Sequence, residues 1–420
     1  MSKLASAARQ AHCISVVPPA LRHLWRLCTN LSHEKFRHQQ YANAPPAATY
    51  HLLRAEAGPE LGCQEFRVRM QAVGDKLRAA GVESIYLVHG TFVGGDAAGL
   101  WLELSRLLPA YGDALRQLSK KWVDAAVGEH GNFTARFAQL FEESLNDGAE
   151  RAIHVRLFHW SSENHHIGRA DAAVRLFDEL DKRESQGRIL LWGHSHAGNV
   201  FALLTQLLAA DNETVDLFFE TVQVCFRNPI TRRIDLPLWL DVWQRLKDPN
   251  RALASEQCDF VTFGTPIRYA WAPNTDARLL HFINHRPRTG LPDYLCLFPP
   301  MLDDILHATD GDYIQQLAIA GTNVPPGVLA WRNFLADRRL NRLLQHNLRL
   351  RDLHERLKLG MRVPEQGVSL LCDYGMPTSS IAQHHAGHAV YTRLHWLLFH
   401  AEQTCMYLYG RGSNALPPSK

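Results

Sequence analysis

From Ser84 onward, short apolar runs alternate with helical stretches, and this alternation constrains the fold more than any other feature of the chain. The runs are apolar throughout, as in strands buried on both faces of a parallel sheet. Helical segments such as 170–184 and 198–209 lie between most of them. The pattern therefore predicts an α/β fold with a mostly parallel central sheet and helices on both faces. The predicted strands are 85–89, 153–158, 188–192, 259–263, 279–283, 314–320 and 367–372.

The rest of the chain is expected to surround this sheet. Residues 1–80 are predicted to form a mostly helical N-terminal extension, and residues 81–410 the α/β domain. Helical insertions are expected at about 101–150 and 210–257, with a C-terminal tail at 411–420. Long insertions beside a site often act as lids or binding loops. Helices that simply cover the sheet would give the same pattern, so both interpretations stay open.

Composition excludes several classes of protein. The formal net charge of +3 is small for 420 residues, whereas a dedicated nucleic-acid binder would show a strongly basic face. The basic helical run 336–358 is interpreted as a solvated helix face. The eight cysteines include no C-x-x-C pair, so neither a zinc site nor a short disulfide framework is expected. The N-terminus lacks a signal-peptide pattern, and no apolar run is long enough to span a membrane, which together favour a cytoplasmic protein.

The most specific local signal is RILLWGHSHAGNVFALLTQLL at 188–208. An apolar strand runs into Gly193-His194-Ser195-His196-Ala197-Gly198, and a helix follows at once. A serine on such a tight turn would present its hydroxyl above the sheet, where a base can reach it. The N-terminal N–H groups of the helix would then face the oxyanion that forms on attack. Ser195 is therefore the candidate nucleophile.

This segment resembles the nucleophile elbow of α/β-hydrolase lipases and esterases, whose pattern is G-x-S-x-G. The chain departs from it at the last small position, which is Ala197 with Gly198 next to it. Alanine is small enough for the turn. The resemblance implies the α/β-hydrolase fold and a Ser-His-acid triad, with chain order serine, acid, histidine.

A second segment, IYLVHGTFVGGDAAGLW at 85–101, resembles the oxyanion loop of the same enzymes. There, one N–H donor comes from the residue after the nucleophile and the other from a His-Gly loop after an earlier strand. By that resemblance, the donors here are His196 and Thr91. No phosphate-binding glycine pattern is present in this segment.

The candidate base lies in HHAGHAVYTRLHWLLFH at 384–400. His388 stands in a short glycine-containing loop soon after the last predicted strand, which is where the resemblance places the catalytic histidine. His384 and His385 are close competitors.

The candidate acid breaks the family pattern. The resemblance places it after the penultimate strand, which we predict at 314–320, and that slot holds Asn323. Asp373 is chosen instead because it stands at the carboxyl end of strand 367–372, the edge where α/β sheets place their chemistry. The alternatives are Asp303, Asp304 and Asp312.

Together these residues predict a serine hydrolase that cleaves carboxylic esters through an acyl-enzyme, without a metal or organic cofactor. The expected partner is a small-molecule ester or lipid. Amidase, thioesterase and acyltransferase chemistry on the same fold remain alternatives, because a fold does not fix a reaction. A catalytically silent scaffold that binds a partner or small molecule is the competing interpretation. The loop at 158–173 is interpreted as hydrogen-bonded, with substrate contact as a second reading.

Overall fold

The computed structural model describes residues 44–91, 131–272, 278–319, 323–324, 326, 330–344 and 350–410. Seven strands form one sheet in the order β1-β7-β6-β5-β4-β2-β3, and every neighbouring pair is parallel. The strands are β1 (Tyr50–Arg54), β2 (Val82–Val88), β3 (His154–Phe158), β4 (Arg188–His194), β5 (Cys258–Phe263), β6 (Leu279–Asn284) and β7 (Val368–Asp373). The predicted parallel sheet with flanking helices is confirmed.

Helices connect the strands and cover both faces of the sheet. The described α-helices are α1 (Gln64–Ala79), α2 (Ala135–Asn146), α3 (His166–Asp181), α4 (Ala197–Ala209), α5 (Asn212–Thr221), α6 (Gln223–Phe226), α7 (Pro237–Leu246), α8 (Leu302–His307), α9 (Tyr313–Ile319), α10 (Trp331–Leu344), α11 (Leu350–Lys358), α12 (Ile381–His384) and α13 (Leu397–Tyr409). Short 3-10 turns lie at Ala47–Thr49, Ser255–Gln257, His385–Gly387, Val390–Thr392 and Leu394–Trp396. None of the helices in these ranges is both long and apolar enough to cross a membrane.

Strand side chains alternate between two cores. In β2, Ile85 and Leu87 pack with helices α1, α2 and α13 on one face of the sheet. Tyr86 and Val88 pack with α3, α4, α5, α7 and α10 on the other. Because the central strands are buried on both faces, they read as continuous apolar runs in the sequence. All seven strands run parallel, so their carboxyl ends share one edge of the sheet.

Two elements differ from the sequence prediction. The predicted strand 314–320 is wrong, because Tyr313–Ile319 forms helix α9. Its short apolar run has too few residues for periodicity to separate a strand from a helix. Strand β1 was not predicted, because residues 1–80 read as mostly helical. It pairs with β7 and places Arg54 opposite Asp373. Residues 1–43 and 411–420, and the first thirty residues of the predicted insertion at 101–150, lie outside the described residues.

Candidate active site

Ser195 lies in a strained turn between β4 and α4. Its φ is 55°, in the left-handed region that L-residues rarely occupy. Its N–H donates to the Phe263 carbonyl at 2.8 Å, and its own carbonyl accepts from Thr265 Oγ1 at 2.7 Å. Strain of this kind persists only where the surrounding structure fixes it, and it concentrates at functional sites. The turn has the strand-turn-helix geometry that the sequence predicts.

Two glycines of the elbow are required by close packing. A Cβ on Gly193 would lie 2.5 Å from the Phe201 ring, and one on Gly198 would lie 2.3 Å from Thr265 Oγ1. Real Cβ atoms do not approach that closely, so only glycine lets helix α4 begin this near to the turn. Ala197 fits in the position where the resemblance calls for glycine, and its side chain is fully buried.

The predicted oxyanion loop lies directly against the Ser195 side chain. A Cβ on Gly90 would come within 2.5 Å of Ser195 Cβ and 3.1 Å of the His194 carbonyl oxygen. The loop is anchored from the β3 side, because Trp160 Nε1 donates to the His89 carbonyl at 2.8 Å. Ser162 Oγ also lies 2.9 Å from His89 Nδ1.

Both predicted oxyanion donors flank this contact. Thr91 follows Gly90 at the end of the described loop, and His196 is the residue before helix α4. Neither backbone N–H donates to another of the described residues. The start of a helix also carries partial positive charge, which favours an anion. The role of these two N–H groups as oxyanion donors stays a prediction.

His388 and Asp312 form a buried hydrogen-bonded pair. His388 Nδ1 lies 2.7 Å from Asp312 Oδ2, and the histidine and aspartate side chains are 8% and 0% exposed. An ionised carboxylate only accepts, so the Nδ1 proton belongs to the ring and a neutral imidazole leaves Nε2 with a free lone pair. His388 Nε2 is buried and has no hydrogen-bond partner among the described residues, Ser195 included. Such contacts are often long without substrate and tighten on binding.

The environment of Asp312 keeps its carboxylate ionised. Burial raises the pKa of Asp312, but His388, the Gln315 N–H and the Arg362 charge outweigh it, and the net pKa lies below the ordinary value. Tyr391 donates its hydroxyl to Asp312 Oδ2 at 2.9 Å. The Tyr391 pKa is well above its usual range, chiefly through burial, so this donor stays protonated.

His194 connects the elbow to the histidine loop. Its ring lies 4.5 Å from the His388 ring between centroids, and its Nε2 lies 3.1 Å from the His388 carbonyl oxygen. Burial, followed by the neighbouring His388, lowers the pKa of His194 to about 3. His194 is therefore neutral, and its Nε2–H donates to the His388 carbonyl. Because His194 precedes Ser195 in the chain, this bond holds the His388 loop against the elbow.

The structure does not bring Asp373 to His388. Asp373 Oδ1 instead accepts from Arg286 Nε and from the Gly375 N–H, both at 2.9 Å. The physical reason is topological, since Asp373 ends β7 beside the edge strand β1, whereas Asp312 follows β6, next to the sheet centre. Asp312, named as an alternative, is the carboxylate that bonds to His388.

The remaining candidates have other contacts. Asp303 is exposed and pairs with His307, while Asp304 pairs with Arg288. His384 Nδ1 accepts from the Gly387 N–H at 3.3 Å. His385 has a φ of 46° in the turn that leads to His388.

One signal in the sequence marks Asp312. Asp312 is the first residue of the segment D-Y-I-Q, and its Oδ1 accepts from the Gln315 N–H at 2.8 Å at the start of α9. Asp followed three residues later by Gln is a helix-start pattern. Read that way, 313–319 becomes a helix and β6 becomes the penultimate strand, followed by two buried carboxylates, Asp310 and Asp312.

The loop after β3 is a buried polar network, as its hydrogen-bonded interpretation predicts. Arg169 donates to Tyr269, Asn164 and Asn323 at 2.8, 3.0 and 2.8 Å. Glu163 accepts from Ser161 at 2.8 Å. No group of His, Cys, Asp or Glu in the described ranges has the arrangement of a metal site. The network supports the strand end that anchors His89.

Comparison of the chain with protein-family models, curated proteins and solved structures finds no match. The site must therefore be judged on its geometry. At one edge of the parallel sheet lie a strained serine, the two predicted N–H donors and a buried His-Asp pair. These are the parts that nucleophilic acyl transfer requires.

Proposed function

We propose that the protein is a serine hydrolase of the α/β-hydrolase type that cleaves carboxylic esters. The observation that carries the proposal is the His388–Asp312 hydrogen bond of 2.7 Å, in the histidine loop that packs on the Ser195 elbow through His194. The chain order serine, acid, histidine and the placement of the last two after β6 and β7 agree with the family pattern.

In the first half-reaction, Ser195 Oγ attacks the ester carbonyl carbon while His388 Nε2 takes the hydroxyl proton. The carbonyl oxygen becomes an oxyanion that accepts from the Thr91 and His196 N–H groups. Asp312 holds the ring with its proton on Nδ1 and stabilises the imidazolium. The tetrahedral intermediate collapses, the C–O bond to the alcohol breaks, and His388 gives its proton to the leaving oxygen.

In the second half-reaction, water attacks the acyl-enzyme and gives one proton to His388. Collapse releases the carboxylic acid, and the proton returns to Ser195 Oγ. No redox change or cofactor enters this cycle. Esters are favoured over amides because an alkoxide leaves more readily than an amide nitrogen. Thioesters and acyl acceptors other than water fit the same acyl-enzyme and are outcomes of a substrate panel.

The first test is labelling with a fluorophosphonate probe, whose phosphorus is attacked by an activated serine. We expect the wild-type protein to be labelled and Ser195→Ala not to be labelled. Ser161→Ala is the matched control, because Ser161 is also a buried serine at this edge but its hydroxyl is bonded to Glu163. That variant should retain labelling.

Labelling that survives in Ser195→Ala would contradict the assignment of the nucleophile. A folded wild-type protein that does not react at all would contradict the proposed function. That result would favour the competing interpretation, a silent scaffold, which the missing Ser195–His388 hydrogen bond would then explain.

Gly90→Ala should lower kcat/KM by about 10²-fold or more, the size of effect seen on loss of an oxyanion donor. The added Cβ would meet Ser195 Cβ at 2.5 Å and the His194 carbonyl at 3.1 Å, so the loop must move away from the serine. Gly58→Ala is the control, since its Cβ would contact only the Leu398 side chain at 3.3 Å. Ester hydrolysis and urea unfolding measured on both variants check the prediction. Wild-type activity in Gly90→Ala would show that this loop does not bind the oxyanion.

A further inference from the structure

Arg362 is a fully buried arginine behind the candidate acid. Its Nη1 donates to the carbonyls of Asn284 at 2.9 Å and Asp310 at 2.8 Å. Asn284 ends β6, and Asp310 lies two residues before Asp312. The guanidinium therefore ties the loop that carries Asp312 to the end of the strand from which the loop departs.

The charge of Arg362 is not explained by a direct ion pair. Within the described residues, no carboxylate lies within 4.0 Å of its nitrogens, and its Nε has no acceptor. Asp310, whose backbone carbonyl accepts from Arg362, pairs through its side chain with Arg288 at 3.0 Å. A buried cation without a partner is costly, so a purely structural clamp would be better made by a neutral donor.

The positive charge of Arg362 acts on Asp312 and helps to lower the pKa of that carboxyl group. The Asp312 N–H donates to the same Asn284 carbonyl that accepts from Arg362, at 2.9 Å. The Asn284 side chain in turn donates to the Gly387 carbonyl at 2.8 Å, next to His388. One strand end thus links the arginine, the acid and the histidine loop.

We propose that Arg362 is an electrostatic positioning residue for the Asp312–His388 pair: its buried charge supports the Asp312 carboxylate, and its N–H groups fix the Asp312 loop. The inference rests on the proposed function. It assigns a role to a residue that has no contact with the substrate and that no motif in the sequence indicates.

Other titratable and charged groups lie around Asp312 and Arg362. Tyr313 lies with its ring 5.5 Å from the Arg362 guanidinium carbon. The titratable and charged groups around Asp312 and Arg362 include His388, His194, Tyr391, Asp310 with its partner Arg288, Tyr313, His285 and Cys296. Arg362 is the permanently charged cation among the main influences on the Asp312 pKa, and its removal takes that positive charge away.

The experiment compares Arg362→Met, which removes the charge, with Arg362→Lys, which keeps it but cannot reproduce the arginine's paired hydrogen bonds. The rate of fluorophosphonate labelling is measured from pH 8 down to the lowest pH at which urea unfolding shows all three proteins folded. Without the cation, the coupled Asp312–His388 pair takes up a proton at higher pH.

We expect the acid limb of the Met profile to move to higher pH, with a rate roughly three- to tenfold below wild type at the acid end and within about twofold at pH 8. The Lys profile should keep the wild-type acid limb. If the wild-type protein is labelled and the Met and Lys profiles have the same acid limb, Arg362 is only a clamp and the inference is wrong. If the wild-type protein is not labelled, the proposed function fails and the inference fails with it.

Discussion

Asp312→Asn is expected to lower kcat/KM for ester hydrolysis by about 10⁴-fold, as when a triad aspartate becomes an amide in other serine hydrolases. The Asn side chain keeps the shape and can still accept from the Gln315 N–H at the start of α9. It can also donate to His388 Nδ1, which would move the ring proton to Nε2. A ring protonated at Nε2 cannot accept the proton of Ser195, so the nucleophile loses its base.

Asp373→Asn provides the matched control. It makes the same chemical change in a carboxylate at the end of the neighbouring strand, but it weakens only a partly exposed ion pair with Arg286. Such a pair contributes up to about 1 kcal/mol to the free energy of unfolding. Activity should stay within about threefold of wild type. If Asp373→Asn abolishes turnover and Asp312→Asn does not, the acid assignment reverts to the residue first chosen from the sequence.

The sheet could be predicted because its central strands are buried on both faces. Runs such as 188–192 and 259–263 are apolar at every position, which the two cores explain. The elbow could be predicted because a tight strand-to-helix turn needs small residues at fixed places. Gly193 and Gly198 occupy two of those places and have no space for a side chain.

The acid could not be predicted from apolar pattern alone. Helix α9 buries Gln315 and Gln316 and exposes Ile314 and Leu317, the reverse of what composition suggests. The two glutamines are buried because they bond to Thr265, Leu297 and Arg362 across the fold. Contacts of that range have no local signature, so the apolar pattern predicts a strand at 314–320 and an acid about ten residues too late in the chain.

Strand β1 was missed for a related reason. β1 lies at the edge of the sheet, and its residues are partly or fully exposed. A short run with both apolar and polar residues has little pattern of its own. Its place in the sheet depends on hydrogen bonds to β7, more than 300 residues later in the chain. A pairing between strands so far apart in the chain cannot be predicted from a local sequence pattern.

The free energy of unfolding is expected to fall by at least about 6 kcal/mol between pH 7 and pH 5. Burial lowers the pKa of several histidines, and four of them set the minimum size of the loss: their pKa is about 3 for His194, His285 and His400 and about 4 for His281. Their unfolded-state pKa is about 6.5, so below that pH the unfolded chain binds protons that the folded protein refuses. Each histidine then costs about 2 kcal/mol at pH 5. Asp259 acts in the opposite direction, because burial raises its pKa to about 6 and the folded state gains a proton, which offsets about 1.4 kcal/mol.

Urea unfolding at pH 7 and pH 5 measures this difference, and one substitution isolates a single proton. His281→Gln can keep contacts to Thr262 and the Gln366 carbonyl, which lie 2.6 and 3.0 Å from the ring nitrogens. It should reduce the pH-dependent loss by about 2 kcal/mol, because one refused proton disappears. His154→Gln is the control, since that side chain is 58% exposed. If His281→Gln loses as much free energy of unfolding between pH 7 and pH 5 as the wild type and His154→Gln do, the prediction is wrong. His281 then becomes protonated in the folded protein, and water reaches the core between β5 and β6.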